Sequence, residues 1–241
     1  MDFENLIQSE KECDTTDIPL FEIDISGLIS RLLKGGKVSA VASRPAMGKT
    51  TLLCQIAMNA CLINNINCYY FCLCQGGDYI KRKIRNQLSN LCFATDTKLM
   101  FAQHGEICID ELSSIISNEI SDGVVIIDGI EQIKSPSYRR TIAILKHIAE
   151  EKNTAIILSG CLPRLFRFLG NKNAIADKVK YLSYFDDLLL IHRQPFDFDN
   201  VENADNVELY IPKTELSTPI IAEYLWGKGY YKLISDKRMP V

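Results

Sequence analysis

Lys49 and Thr50 close the stretch Ser43-Arg44-Pro45-Ala46-Met47-Gly48-Lys49-Thr50. An apolar run, Val38 to Ala42, precedes it, and a helical pattern opens at Thr51. Strand, loop and helix in that order make a preformed anion site. The loop's exposed backbone N–H groups and the positive end of the helix dipole both face a bound phosphate. In the G-x-x-x-x-G-K-[ST] pattern the lysine reaches the β- and γ-phosphates and the hydroxyl holds Mg²⁺. Residues 43–51 are therefore the candidate nucleotide-binding set, with Ser43 standing where the pattern has its first glycine. A second element is Val124-Val125-Ile126-Ile127-Asp128, an apolar strand that delivers a carboxylate. Asp128 is the candidate partner of Thr50 at the metal. Glu131 and Gln132 follow within reach of the same strand end.

The elements needed to position these groups are legible along the chain. Residues 1–17 are polar and acidic and read as a flexible arm, and residues 18–241 as one domain. A short helical pattern over Ile18–Leu33 stops at Gly35-Gly36. Strands are expected at 37–42, 68–73, 99–101, 123–127, 154–159, 184–192, 207–212 and 220–226, with a turn at 227–231. Helices are expected at 51–62, 78–90, 109–117 and 138–152. Strands alternating with helices imply parallel pairing, right-handed crossovers and helices on both faces. The last strands lack intervening helices and predict an antiparallel edge.

Composition narrows the class. The 241 residues are 47% hydrophobic and 24% charged, with a formal net charge of −3, ordinary values for a globular core. A pI near 5.7 argues against a uniformly basic nucleic-acid surface but leaves room for a local stripe. No apolar run reaches membrane-span length and the acidic start does not resemble a signal peptide, so a cytoplasmic protein is expected. The cysteines number nine. An odd count without a secretory signal does not fit a disulfide framework. Cys54 and Cys61 share one face of the helix at 51–62 and read as small core residues.

Two basic segments stay open at this level. Lys81, Arg82, Lys83 and Arg85 fit a solvated helix face. Arg164, Phe166, Arg167, Phe168 and Lys172 interleave cations with aromatics. That mixture suits single-stranded nucleic acid, through phosphate pairing and base stacking, and equally suits a loop packing its own aromatics.

Arg44-Pro45-Ala46-Met47-Gly48-Lys49-Thr50 resembles the phosphate loop of the RecA-like, C-terminal motor domain of DnaB-type replicative helicases. Softer matches accompany it: Tyr70-Phe71-Cys72-Leu73, Ile127-Asp128-Gly129-Ile130-Glu131, Ala143 to Ala149, Ile157-Leu158-Ser159, and Asp186-Asp187 through Arg193. The resemblance runs from about Ile18 to Leu233. It implies a RecA-like P-loop NTPase fold, Mg²⁺-ATP as ligand, assembly into a homo-oligomer or ring, single-stranded DNA through Arg164, Arg167 and Lys172, and a replication partner protein.

The departures are as informative. The family's catalytic Glu falls at Cys74, its Gln after Leu-Ser at Gly160, and its late Lys-x-Arg at Lys213-Thr214-Glu215. A thiol cannot orient water as a carboxylate does, and an acid facing a γ-phosphate repels it. An arginine finger is worth roughly 10³–10⁵ in rate in other NTPases. Glu131 is the candidate replacement base and Asp78 a second, while Lys49 would act on the phosphates. Only residues 1–17 precede the motor, so the ring-building domain of such helicases is not expected here. Two readings follow. One is an ATP-binding DNA helicase motor in replication or a mobile element. The other is a degenerate, non-hydrolysing ATP-binding adaptor. A RecA-like recombination or signalling ATPase and a metabolic kinase fit the residues less well.

Overall fold

The computed structural model of the protein describes residues 2–7, 28–73, 76–88, 98–162, 184–193, 206–210, 220–225 and 230–236. Its centre is a set of strands buried on both faces. β2 (Val38–Ser43) is wholly buried, and so is β6 (Val124–Asp128). Near-continuous apolar sequence without polar alternation is what a doubly covered parallel strand requires. β3 (Cys68–Cys72), β4 (Leu99–Gln103), β8 (Ala155–Cys161) and β9 (Asp187–Arg193) complete the parallel part. β10 (Asn206–Tyr210), β11 (Ile220–Leu225) and β12 (Tyr230–Asp236) extend it antiparallel on one side. β1 (Glu4–Asn5) pairs antiparallel with β4 on the other. Among the described residues the strand order is β1-β4-β3-β6-β8-β2-β9-β10-β11-β12. A separate parallel pair joins β5 (Ile107–Cys108) to β7 (Ile133–Lys134).

Helices cover both faces. α1 (Leu28–Leu32), α2 (Lys49–Leu62) and α3 (Gly77–Leu88) pack on one face, against a cluster that includes Val41, Tyr70, Ile126 and Ile157. α4 (Ile109–Glu119) and α5 (Tyr138–Lys152) pack on the other, against Ala40, Phe71, Ile127 and Leu158. Alternate residues of a strand point to opposite faces, so each central strand divides its side chains between two cores. α4 buries Ile109, Leu112, Ile115 and Ile116, one stripe of the helical period. α5 starts where the Ser137 hydroxyl accepts the Arg140 N–H at 3.2 Å and ends at Asn153 in the left-handed region.

The mostly parallel α/β sheet with helices on both faces and an antiparallel edge is thus the architecture that the alternation of elements implied. Some local expectations shift. The turn read at 227–231 ends earlier, because Tyr230 and Tyr231 already pair with Leu225 and Tyr224 in β12. Aromatic residues favour strands, and here the partner β11 is adjacent in sequence. The short β5–β7 pair and the 3₁₀ turn at Ile130–Gln132 carry too little periodicity to be seen in sequence.

Candidate nucleotide-binding site

Parallel strands gather their C-terminal ends at one edge of the sheet, and the chain leaves β2 there through residues 44–48 into α2. Ala46 (φ 62°) and Gly48 (φ 93°) both lie in the left-handed region. Glycine takes that geometry without strain and alanine does so at a cost of about 1 kcal/mol. The turn brings the start of α2 directly over the strand ends. Gly48 occupies the N-cap of α2 and no side chain caps that first turn. Backbone N–H groups at an uncapped helix start are donors for an external anion.

Within the loop, Ser43 is buried and its hydroxyl donates to the Arg44 carbonyl at 2.7 Å. Arg44 is buried too, with its guanidinium 3.8 Å from Met47 Sδ. Pro45 and Ala46 are exposed at the tip. Lys49 Nζ donates to Ser43 Oγ at 3.4 Å, to the Arg44 carbonyl at 3.5 Å and to Cys161 Sγ at 3.2 Å. The lysine thus lies folded over its own loop and against the end of β8. Thr51 is buried at the start of α2.

Thr50 Oγ1 donates to Asp128 Oδ2 at 2.8 Å, which joins the loop to the end of β6. Asp128 is 2% exposed, and a carboxylate so deeply buried needs donors around it. Two more hydroxyls supply them. Tyr70 OH donates to Oδ2 at 3.0 Å, and Ser159 Oγ donates to Oδ1 at 2.6 Å. All these residues project toward the α2 face. Burial pushes the Tyr70 phenol well above its ordinary range, and the Asp128 charge adds to the effect, so it remains a donor. The same two causes push the neighbouring Cys54 thiol up to about 12. Cys54 and Cys61 are both buried core residues of α2.

After Asp128 the chain turns through Gly129 (φ 119°) into the 3₁₀ segment that carries Glu131. Glu131 Oε1 accepts the backbone N–H of Cys161, the residue whose sulfur touches Lys49. The structure therefore brings Ser43, Arg44, Lys49, Thr50, Asp128 and Glu131 to one end of the sheet. Gly160 lies buried in β8 between Ser159 and Cys161. Asp78 sits exposed in the first turn of α3. Cys74, Arg164, Arg167, Lys172 and Lys213 to Glu215 lie outside the described residues. Asp186 and Asp187 are at the opposite, N-terminal end of β9. There Asp187 pairs with Arg31 (2.5 Å) and Lys37 (3.3 Å), and Asp186 with Lys146 (2.5 Å). Tyr70, Ser159 and Cys161 are site residues that motif reading passed over. Their common signal is strand parity: each lies on the Asp128 face once the strand order is known.

The donor set at Thr50 and Asp128 is oxygen only, one hydroxyl and one carboxylate. That fits Mg²⁺, which binds through one or two carboxylates together with substrate phosphates.

No family model and no curated protein matches the sequence. Solved structures do match in fold. A helicase ATPase domain superposes with a TM-score of 0.69 at 14% identity, covering 84% of this chain and 86% of that one. A DnaB-like replicative helicase, studied with its interactions with primase, superposes with a TM-score of 0.68 at 14% identity, covering 84% of this chain. The matched part is 58% of that helicase chain. The fold is the RecA-like one of helicase ATPase domains. No helix among the described residues is long and apolar enough to cross a membrane.

Proposed function

We propose that this chain is an ATP-binding motor domain of the DnaB-like helicase type, acting on DNA in replication or in a mobile element. The observation that carries the proposal is the Thr50–Asp128 hydrogen bond of 2.8 Å, which couples the phosphate loop to a buried carboxylate at the adjoining strand ends. In this reading the N–H groups of residues 44–51 cradle the phosphates, and Lys49 leaves its loop partners to meet the β- and γ-phosphates. Thr50 and Asp128 hold Mg²⁺, which neutralises charge on the phosphate oxygens. Glu131 serves as the base near the γ-phosphate in place of the carboxylate missing at Cys74. Single-stranded DNA, a ring of identical subunits and a replication partner belong to the same reading.

A second reading is favoured by one feature. Gly160 gives β8 no side chain where the resemblance calls for an amide. With Cys74 and Glu215 it supports a domain that binds ATP without turning it over, as an adaptor. Steady-state ATP hydrolysis with and without single-stranded DNA, beside a binding titration on the same sample, separates the two. DNA-stimulated turnover supports the motor. Tight binding with no turnover supports the adaptor. Absence of any nucleotide binding overturns both.

A further inference from the structure

Asp128 is served by two donors that belong to no phosphate-loop motif, and they reach it from both sides. In the sheet β6 runs between β3 and β8. β3 contributes Tyr70, whose hydroxyl is 3.0 Å from Oδ2, and β8 contributes Ser159, whose hydroxyl is 2.6 Å from Oδ1. The register explains the reach. Tyr70 pairs with Ile126, two residues before Asp128 on the same face, so the long phenol extends along the strand direction to the carboxylate. Tyr70 has no solvent exposure and stacks on Phe101 with ring centroids 5.7 Å apart. Phenylalanine would make that ring contact equally well. A phenol buried this deeply is costly unless its hydroxyl is used, and its use here is Asp128.

We propose that Tyr70 is a positioning residue for metal–nucleotide binding, with Ser159 as its companion. Together they fix the Asp128 carboxylate so that it takes the Thr50 proton and leaves the Thr50 oxygen lone pairs for the cation. The inference rests on the nucleotide-binding reading above. Oxygen Oδ2 receives both Tyr70 and Thr50, so rotation of the carboxylate away from Thr50 breaks the Tyr70 bond as well. Partners behind a metal ligand commonly matter as much as this: their loss costs roughly 10–100-fold in metal affinity.

The test uses the full chain and a fluorescent N-methylanthraniloyl ATP, titrated first in EDTA and then with increasing Mg²⁺, with far-UV circular dichroism as a check on folding. Tyr70→Phe is expected to keep the metal-free nucleotide affinity and to raise the Mg²⁺ concentration for half-maximal tightening by roughly tenfold. Ser159→Ala is expected to shift it in the same direction, and it carries the test alone if Tyr70→Phe does not fold. A purely structural role would change both titrations together or neither. Wild-type Mg²⁺ dependence in both folded variants overturns the inference while leaving the nucleotide site standing. A wild-type protein that binds no nucleotide, or binds it without regard to Mg²⁺, overturns the parent reading itself.

Discussion

Lys49 is held by two oxygens of its own loop and by the Cys161 sulfur. None of these is an anion, so a phosphate can displace them at little cost. Hydrogen bonds to charged groups are each worth about 1.5–3 kcal/mol. Lys49→Ala removes more than one of them, and loss of nucleotide affinity by roughly 100-fold or more is expected in a calorimetric titration. Unchanged affinity would sink the phosphate-loop reading. Glu131 asks for a subtler substitution. Its Oε1 accepts the Cys161 N–H, and the carbonyl of a glutamine can accept the same bond. Glu131→Gln therefore preserves the local geometry and removes only the basicity. Nucleotide affinity should stay at the wild-type level and any residual hydrolysis should disappear. Turnover that persists in this variant would pass the role of base to another group, with Asp78 next in line.

At the scale of elements, α5 is the clearest case of sequence dictating structure. Its bounds, Tyr138 and Lys152, are those the pattern gives, because a serine cap and an asparagine stop bracket an apolar stripe. Ser137→Ala removes the hydroxyl that accepts the Arg140 N–H. A loss of about 1 kcal/mol in chemical denaturation is expected, with nucleotide binding unaffected. β2, β6 and α2 were equally legible, since buried apolar runs and a phosphate-loop pattern are local signals. Asp128 and Thr50 could be paired in advance for the same reason. Tyr70 and Ser159 could not. Their meaning depends on β3 and β8 flanking β6, and strand order is a long-range property that no short window of sequence encodes. The basic face of α3 makes the same point. Lys81 and Arg85 read as solvated cations, yet both meet Glu4 of the N-terminal segment.

That contact is a property of the whole molecule, because it decides how the parallel sheet ends. β4 would otherwise present an open edge, and open edges recruit other strands. β1 covers it, pairing Glu4 with Phe101 and Asn5 with Met100. Phe3 packs edge-on against Tyr69 and Phe71 at 5.7 and 5.4 Å, while Leu6 and Ile7 are buried. The Lys81 hydrogen bond, with the charges of Lys81 and Arg85, holds the Glu4 carboxyl below its ordinary value of 4.5. A lowered folded-state value means stabilisation that is fully present above pH 4.5 and is lost as the pH falls through the folded value. Glu4 is 42% exposed, so the ion pairs are screened and their share is small. The apolar anchors carry the rest. Two outcomes follow from that division. Hydrogen exchange at residues 99–103 should quicken only modestly, after correction for intrinsic rates, when the pH drops below the Glu4 value. Deleting residues 1–7 should do much more: it strips the anchors, uncovers the β4 edge, lowers the melting temperature and produces self-association visible by light scattering. A truncated protein that stays monodisperse at the wild-type melting temperature would mean that β1 neither stabilises the sheet nor guards its edge.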